Sequence, residues 1–411
     1  MSNTLYVGID VSKDNNVVYI MKPDGSKFSN FKVPNSRSGA EKLVKRITAV
    51  MTSLDLSSVD IGLESTGIYG QHLVYFLKED GNLSQFIRRI FVLNPTRVKK
   101  FSETYEELEK NDYVDSFVIA DCLRFGRINN GVYEGDYRYD ALKQLTRARY
   151  RTVVTLSKEK QRFANLLFMK CSSLTQEKVF SDTFGATALS LYEDFETIDD
   201  IISMDLDDLI EYIVTKGKNR FPDPECVAKA VKAAARGSYR LPKTMNNSVN
   251  QALSISISSI RAMESTVKSY DKVIAEQLAL IPNTLMSIKG IGPVFTAGII
   301  AEVGDINRFP NQAALAKYAG LAWKRHQSGP FDAQDRRMIK TGNRYLRYYL
   351  CEAAMSLVRC DQEYDRYYHL KYKEVNKFQH KRALVLTARK LVRLVFRLLK
   401  DNRLYIPPER F

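Results

Sequence analysis

The chain is poor in the residues from which disulfide frameworks and histidine metal centres are built. Its five cysteines, Cys122, Cys171, Cys226, Cys351 and Cys360, are odd in number, widely scattered, and form no Cys-x-x-Cys pair. They read as buried reduced thiols, which excludes a disulfide frame and a thiolate zinc site. Four dispersed histidines argue against a histidine-rich metal site. No apolar run is long enough to span a bilayer. No signal peptide precedes Leu5, where apolar sequence begins at once. The expectation is a cytoplasmic protein with no membrane partner. There is no internal repeat and no low-complexity tract.

What is present is a globular chain with an excess of positive charge. Its 411 residues are enough for two or three domains, and 45% of them are apolar. Lys and Arg number 62 against 47 Asp and Glu, a formal charge of +15. That sign favours a polyanionic partner, because each cation laid on a phosphate releases a condensed counterion.

The pattern changes character along the chain. Leu5 to Ile9, Val17 to Met21 and Phe28 to Val33 read as three strands joined as hairpins, with a turn at Pro23-Asp24-Gly25-Ser26. Helical spacing covers Ser36 to Met51; strands follow at Val59 to Leu63 and Ile90 to Leu93. Helices are expected over 69–78 and 112–126. This is a mixed sheet flanked by helices. From about Tyr139 to Pro282 the strand signal is lost. Two long helical patterns, 142–169 and 246–280, bracket a shorter insert and predict an antiparallel hairpin or coiled-coil arm, or else a plain bundle. The last part is helical apart from a loop around Lys324 to Asp335. The fold class is α/β plus α, divided as 1–135, a helical connector over 136–282, and 283–411.

Four carboxylates carry the chemical signal. Asp10 ends the first strand and Glu64 the fourth, so both fall at the carboxyl edge of one sheet. Asp112 and Asp115 are three apart and share a helix face. If that helix packs on the sheet edge, four like charges converge and require a cation. Mg²⁺ (or Mn²⁺) suits an all-oxygen set, and a pair of ions would steady both oxygens of a phosphodiester displacement. Taken singly, Asp112 could be a helix cap. Asp121, six residues beyond Asp115, falls off the shared face and reads as a surface or capping charge.

In the last part, Gly290-Ile291-Gly292 looks like a helix-hairpin-helix turn whose amides can approach a phosphate, or a turn that simply joins two packed helices. Ser328 stands in a Ser-Gly-Pro loop beside Lys324, Arg325 and His326. It is an ordinary loop serine or a hydroxyl presented to a phosphate. Arg336, Arg337, Lys340, Arg344 and Arg347 supply a basic stretch suited to a DNA backbone. Tyr345, Tyr348 and Tyr349 interleave with it and could stack on bases or fill a core. The final helix pairs an apolar stripe (Leu384, Ala388, Leu391, Val395, Leu398) with a basic face (Arg382, Arg389, Arg393, Arg397, Lys400).

These segments resemble the insertion-sequence one-ten transposases, a family that includes the pilin-gene invertases. Tyr6 to Lys13 resembles its opening strand, Glu64-Ser65-Thr66-Gly67 its second acidic motif, and Lys110 to Ser116 its paired-aspartate motif. Together they match the DEDD tetrad of a ribonuclease-H-like domain similar to the junction resolvase RuvC. Gly290 to Pro293, Ala319-Gly320, His326 to Gly329 and Lys340 to Arg344 resemble its C-terminal transposase domain. Asn111 and Ser116 stand where the family usually has Thr and Ala, and the helical middle is longer than in compact members.

The resemblance implies a mechanism. Ser328 would attack a DNA phosphate and form a phosphoserine link, with Asp10, Glu64, Asp112 and Asp115 holding Mg²⁺ at that phosphate. It also implies duplex DNA as donor and target, a structured non-coding guide RNA, and a homo-oligomer, dimer or tetramer, with a composite site. Two rivals remain: a RuvC-like nuclease using activated water, and a non-catalytic nucleic-acid scaffold.

Overall fold

A computed structural model describes residues 3–64, 67–105, 111–126, 132–133, 136–323, 327–328, 331–332, 338–339 and 341–407. The chain divides into two compact units, Met1–Tyr137 with Asn307–Phe309, and Arg138–Ile306 with Pro310–Phe411. The connector and the C-terminal part therefore belong to a single unit.

The first unit holds β1 (Thr4–Val11), β2 (Asn15–Met21), β3 (Lys27–Pro34), α1 (Arg37–Ser53), β4 (Ser58–Glu64), α2 (Gln71–Glu79), β5 (Ile87–Leu93), α3 (Pro95–Ser102) and α4 (Asp112–Phe125). The sheet order is β3-β2-β1-β4-β5. The first three strands pair antiparallel as consecutive hairpins, and β4 and β5 join in parallel. This order and these directions make the sheet ribonuclease-H-like: the strand pattern predicted a mixed sheet, and the family resemblance implied this fold.

Side-chain alternation then assigns the two faces. Leu5, Val7, Ile9 and Val11 of β1, with Val59, Ile61 and Leu63 of β4, share one core with Leu43, Val44, Ile47 and Met51 of α1 and Leu73, Val74 and Leu77 of α2. Tyr6 lies on the opposite face, in a core with Val118, Ile119, Cys122 and Leu123 of α4. Gly8 and Asp10 follow Tyr6 in the same register, so Asp10 belongs to the α4 face.

The second unit holds α5 (Tyr137–Lys170), α6 (Ser172–Gln176), α7 (Ala186–Asp194), α8 (Ile198–Ser203), α9 (Leu206–Gly217), α10 (Pro224–Gly237), α11 (Lys243–Leu278), α12 (Pro293–Val303), α13 (Gln312–Tyr318), β6 (Gln327–Ser328), β7 (Phe331–Asp332), α14 (Arg344–Cys360), α15 (Gln362–Lys373) and α16 (Gln379–Asp401). Ion pairs Arg149–Asp271 and Lys160–Glu264 lace α5 to α11 in antiparallel order. At one end of this hairpin, Phe163 and Leu167 join Leu253, Ile257 and Ile260 in a core closed by the insert helices. At the other end, Tyr349 of α14 is fully buried. Its ring lies against Gly298 of α12, where an added Cβ would come within 2.2 Å of it. Its hydroxyl donates to the Thr146 carbonyl at 2.7 Å. Tyr349 is therefore a core residue and not a base-stacking platform.

Two other expectations are corrected. Cys226 and Cys360 are exposed, while Cys122 and Cys171 are buried. The supposed loop around Ser328 contains a short hairpin, β6 paired with β7. Among the described residues, no helix is long and apolar enough to cross a membrane.

Candidate functional site

The acidic edge of the first unit follows from two glycines. Gly8 of β1 and Gly62 of β4 are register partners in the parallel pair. An added Cβ on Gly8 would lie 2.0 Å from the Ser116 carbonyl oxygen and 2.5 Å from the Ala120 nitrogen. On Gly62 it would meet Leu123 at 2.9 Å and Ile119 at 3.0 Å. The pair forms a bare trough that lets the α4 backbone lie directly on the sheet. Asp10 and Glu64 each stand two residues beyond a trough glycine, on the same face, where the strands end. Asn111 caps α4, its Oδ1 accepting the Val114 N–H at 2.9 Å. The cap is thus Asn111, which leaves Asp112 and Asp115 in the first helical turn. There the positive end of the helix dipole favours anionic side chains.

The four carboxylates feel one another. Burial raises the Asp10 carboxyl above its ordinary range, and the charges of Asp115 and then Asp112 raise it further. Burial likewise raises Glu64, followed by the charges of Asp10 and Asp115. Among the described residues, no three His, Cys, Asp or Glu side chains are closed into a ready ligand set. The donor chemistry nevertheless fits a hard divalent cation: the groups are all carboxylates, and their mutual repulsion is relieved by positive charge.

Two further carboxylates on this side of the sheet are committed elsewhere. Asp60, 4% exposed, takes a two-pronged ion pair from Arg89, Nε at 2.7 Å and Nη2 at 2.8 Å. Asp121 is not the surface charge expected. It is buried, accepts the Tyr105 hydroxyl, and pairs with Arg124 at 2.7 Å.

In the second unit, Gly290 has φ +100°, and a Cβ there would lie 2.9 Å from that of Cys360. Its carbonyl accepts the Ser356 hydroxyl at 2.6 Å. Gly290 is thus packed closely against α14. Gly292 caps α12 and has open space around it. Ser328 pairs with Phe331 across the hairpin and is described by that backbone pairing alone. Lys324, Arg325, His326, Arg336, Arg337 and Lys340 lie outside the described residues. Arg344 is exposed, its guanidinium over the Tyr345 ring. Arg347 is half-buried and reaches the Ala319 carbonyl at 3.4 Å. Sequence reasoning passed over Glu302 and Arg147; Glu302 is buried, and the half-buried Arg147 and Asn343 both donate to it. The available signal was a lone carboxylate in an otherwise apolar helix.

Fold and cluster place the chain among ribonuclease-H-like proteins with an acidic edge at the strand ends. Residues 7–169 match the DEDD transposase model of the IS110 group, and residues 283–369 match the model described as transposase IS116/IS110/IS902 family. The chain is 24% identical to an uncharacterized protein of insertion element IS116 from Streptomyces clavuligerus, covering 98% of this chain and 96% of that one. It is 22% identical to an uncharacterized protein of insertion element IS900 from Mycobacterium paratuberculosis, covering 99% and 98%. A solved structure of T. thermophilus RuvC in complex with Holliday junction substrate aligns at 13% identity and a TM-score of 0.21, over 30% of this chain and 96% of that chain. The chain belongs to the IS110 family of DEDD transposases, enzymes that act on DNA.

Proposed function

We propose that this transposase cuts and rejoins DNA through Ser328, with Asp10, Glu64, Asp112 and Asp115 holding Mg²⁺ or Mn²⁺, and that a structured non-coding RNA selects the DNA. The observation that carries the reading is the glycine trough. It sets a helix bearing two first-turn carboxylates against two strand-end carboxylates, and their fields overlap. A bound cation would supply Lewis acidity and offset phosphate charge. In the proposed step the Ser328 oxygen bonds to phosphorus while the bond from phosphorus to one deoxyribose oxygen breaks. The hydroxyl proton leaves to solvent, and the departing oxygen takes one up. The new phosphoserine bond conserves the energy needed for rejoining. Gly292, at the open start of α12, and the exposed Arg344 would contact nucleic-acid phosphates, with Lys324, Arg325, His326, Arg336, Arg337 and Lys340 adding charge.

Replacing Ser328 with alanine tests the reading. Strand exchange and the covalent protein–DNA adduct should disappear, while folding and nucleic-acid binding persist. Cleavage by activated water would proceed without Ser328. Wild-type recombination in Ser328→Ala, with no adduct trapped from either protein, would refute the serine mechanism.

A further inference from the structure

A buried carboxylate lies at the foot of the Ser328 hairpin. Glu302, near the end of α12, is 1% exposed and is the lone charged side chain of that helix. A carboxylate taken out of water is costly unless donors surround it. Here Arg147 of α5 forks onto both oxygens, Nε at 2.6 Å and Nη2 at 2.8 Å. Asn343 adds a third donor, its Nδ2 at 2.6 Å.

Asn343 uses both ends of its amide. Its Oδ1 accepts the N–H groups of Tyr345 and Leu346, each at 3.0 Å, and so caps α14. Its Nδ2 also donates to the Tyr318 hydroxyl at 3.2 Å, and its backbone N–H to the Tyr318 carbonyl at 2.7 Å. Tyr318 and Asn343 stand at the two ends of the segment that carries Ser328. Just inside them, the Ile339 N–H meets the Ala322 carbonyl at 2.7 Å, and Trp323 pairs with Met338. The two arms run backbone against backbone: a Cβ on Gly342 would lie 2.6 Å from the Gly320 nitrogen and 2.8 Å from the Tyr318 carbonyl oxygen. Beyond them comes the β6–β7 pairing with Ser328 in it.

We propose that Glu302 is a positioning residue for Ser328. Its charge holds Asn343 against Tyr318, fixes the spacing of the two arms, and so sets where the serine is presented. The charge matters as well as the shape, because Arg147 Nε, Arg147 Nη2 and Asn343 Nδ2 all donate to this carboxylate. A glutamine would turn an amino group toward one of them. The inference rests on Ser328 being the nucleophile.

The test uses the full-length protein with its DNA and RNA, following single-turnover adduct formation at saturating DNA beside DNA affinity and the thermal midpoint. In Glu302→Gln, adduct formation should fall about a hundredfold, as displacement of a reacting group by about 1 Å does. DNA affinity should stay within about threefold, so the loss sits in turnover and not in binding. Asn343→Ser keeps a helix cap but removes the donor to Glu302, and should show the same split. The double variant Glu302→Gln/Asn343→Asp exchanges donor and acceptor along one hydrogen bond. It should regain about tenfold over Glu302→Gln, a recovery that a packing role would not give.

Adduct formation within about threefold of wild type in both single variants, or a loss confined to DNA affinity, would overturn the proposal. Collapse of the fold in both would overturn it too, since the cluster would then be holding the unit and not the hairpin. Ser328→Ala separates the two levels. If it recombines like wild type, the nucleophile reading fails and this inference with it. If it abolishes the adduct while both Glu302→Gln and Asn343→Ser leave it intact, the positioning role fails alone.

Discussion

Replacing Gly8 with alanine adds one methyl group where the α4 backbone touches the sheet. The new carbon would lie 2.0 Å from the Ser116 carbonyl oxygen, against the 3.4 Å at which ordinary contact begins. The shortfall is about 1.4 Å, and the obstacle is backbone that cannot rotate away. Either α4 lifts from the trough or β1 bends, and each answer moves Asp112 and Asp115 relative to Asp10. Overpacking of this kind costs about 1–3 kcal/mol. A shift near 1 Å in a reacting arrangement costs about a hundredfold in rate. The variant should therefore unfold at lower denaturant, bind Mn²⁺ more weakly by calorimetry, and cleave DNA about a hundredfold more slowly. Gly81→Ala is the control, because its Cβ would meet open space. If Gly8→Ala kept wild-type Mn²⁺ affinity and denaturant midpoint, the trough would not be what assembles the acidic edge.

The raised carboxyls of Asp10 and Glu64 give a second prediction. A group whose folded pKa is raised contributes stability that is fully present below its unfolded value and lost as pH rises through the folded one. Metal-free protein should therefore lose this contribution between the ordinary carboxylate range and the raised values. Asp10→Asn should raise the thermal midpoint at neutral pH in chelator and flatten the pH profile, and an unchanged profile would count against charge crowding. Arg89→Met strands the buried Asp60, and should cost about 1–3 kcal/mol by denaturant titration, since half of the Arg89 side chain is already exposed. A loss below about 0.5 kcal/mol would show the pair to be idle. Finally, the charge of +15 should make affinity for duplex DNA and for structured RNA fall steeply with salt. A flat response would count against a phosphate-dominated interface.

Period-two and period-3.6 patterning carried most of the architecture. The five strands of the sheet, the helix starting at Asp112 and the two long helices of the middle are local signals, set by alternation, caps and turn residues that neighbours in sequence supply. The same locality exposed Asp10 and Glu64 as strand-end carboxylates and Asp112 with Asp115 as one helix face. Periodicity could not say where that helix docks. The docking depends on Gly8 and Gly62 meeting in register, a pairing between strands some fifty residues apart, and register is a tertiary property. Asp121 was misread because its partners are set by the fold: Tyr105 reaches it from outside its helix, and burial on the sheet does the rest. Tyr349 stayed ambiguous because an aromatic beside arginines looks alike on a surface and in a core until Gly298 arrives to cover it. Glu302 shows the limit most plainly. One carboxylate in an apolar helix is visible in sequence, but its partners Arg147 and Asn343 lie 155 and 41 residues away. Only packing brings those donors to it, because the cost of burying a charge is met by whichever groups the tertiary structure delivers.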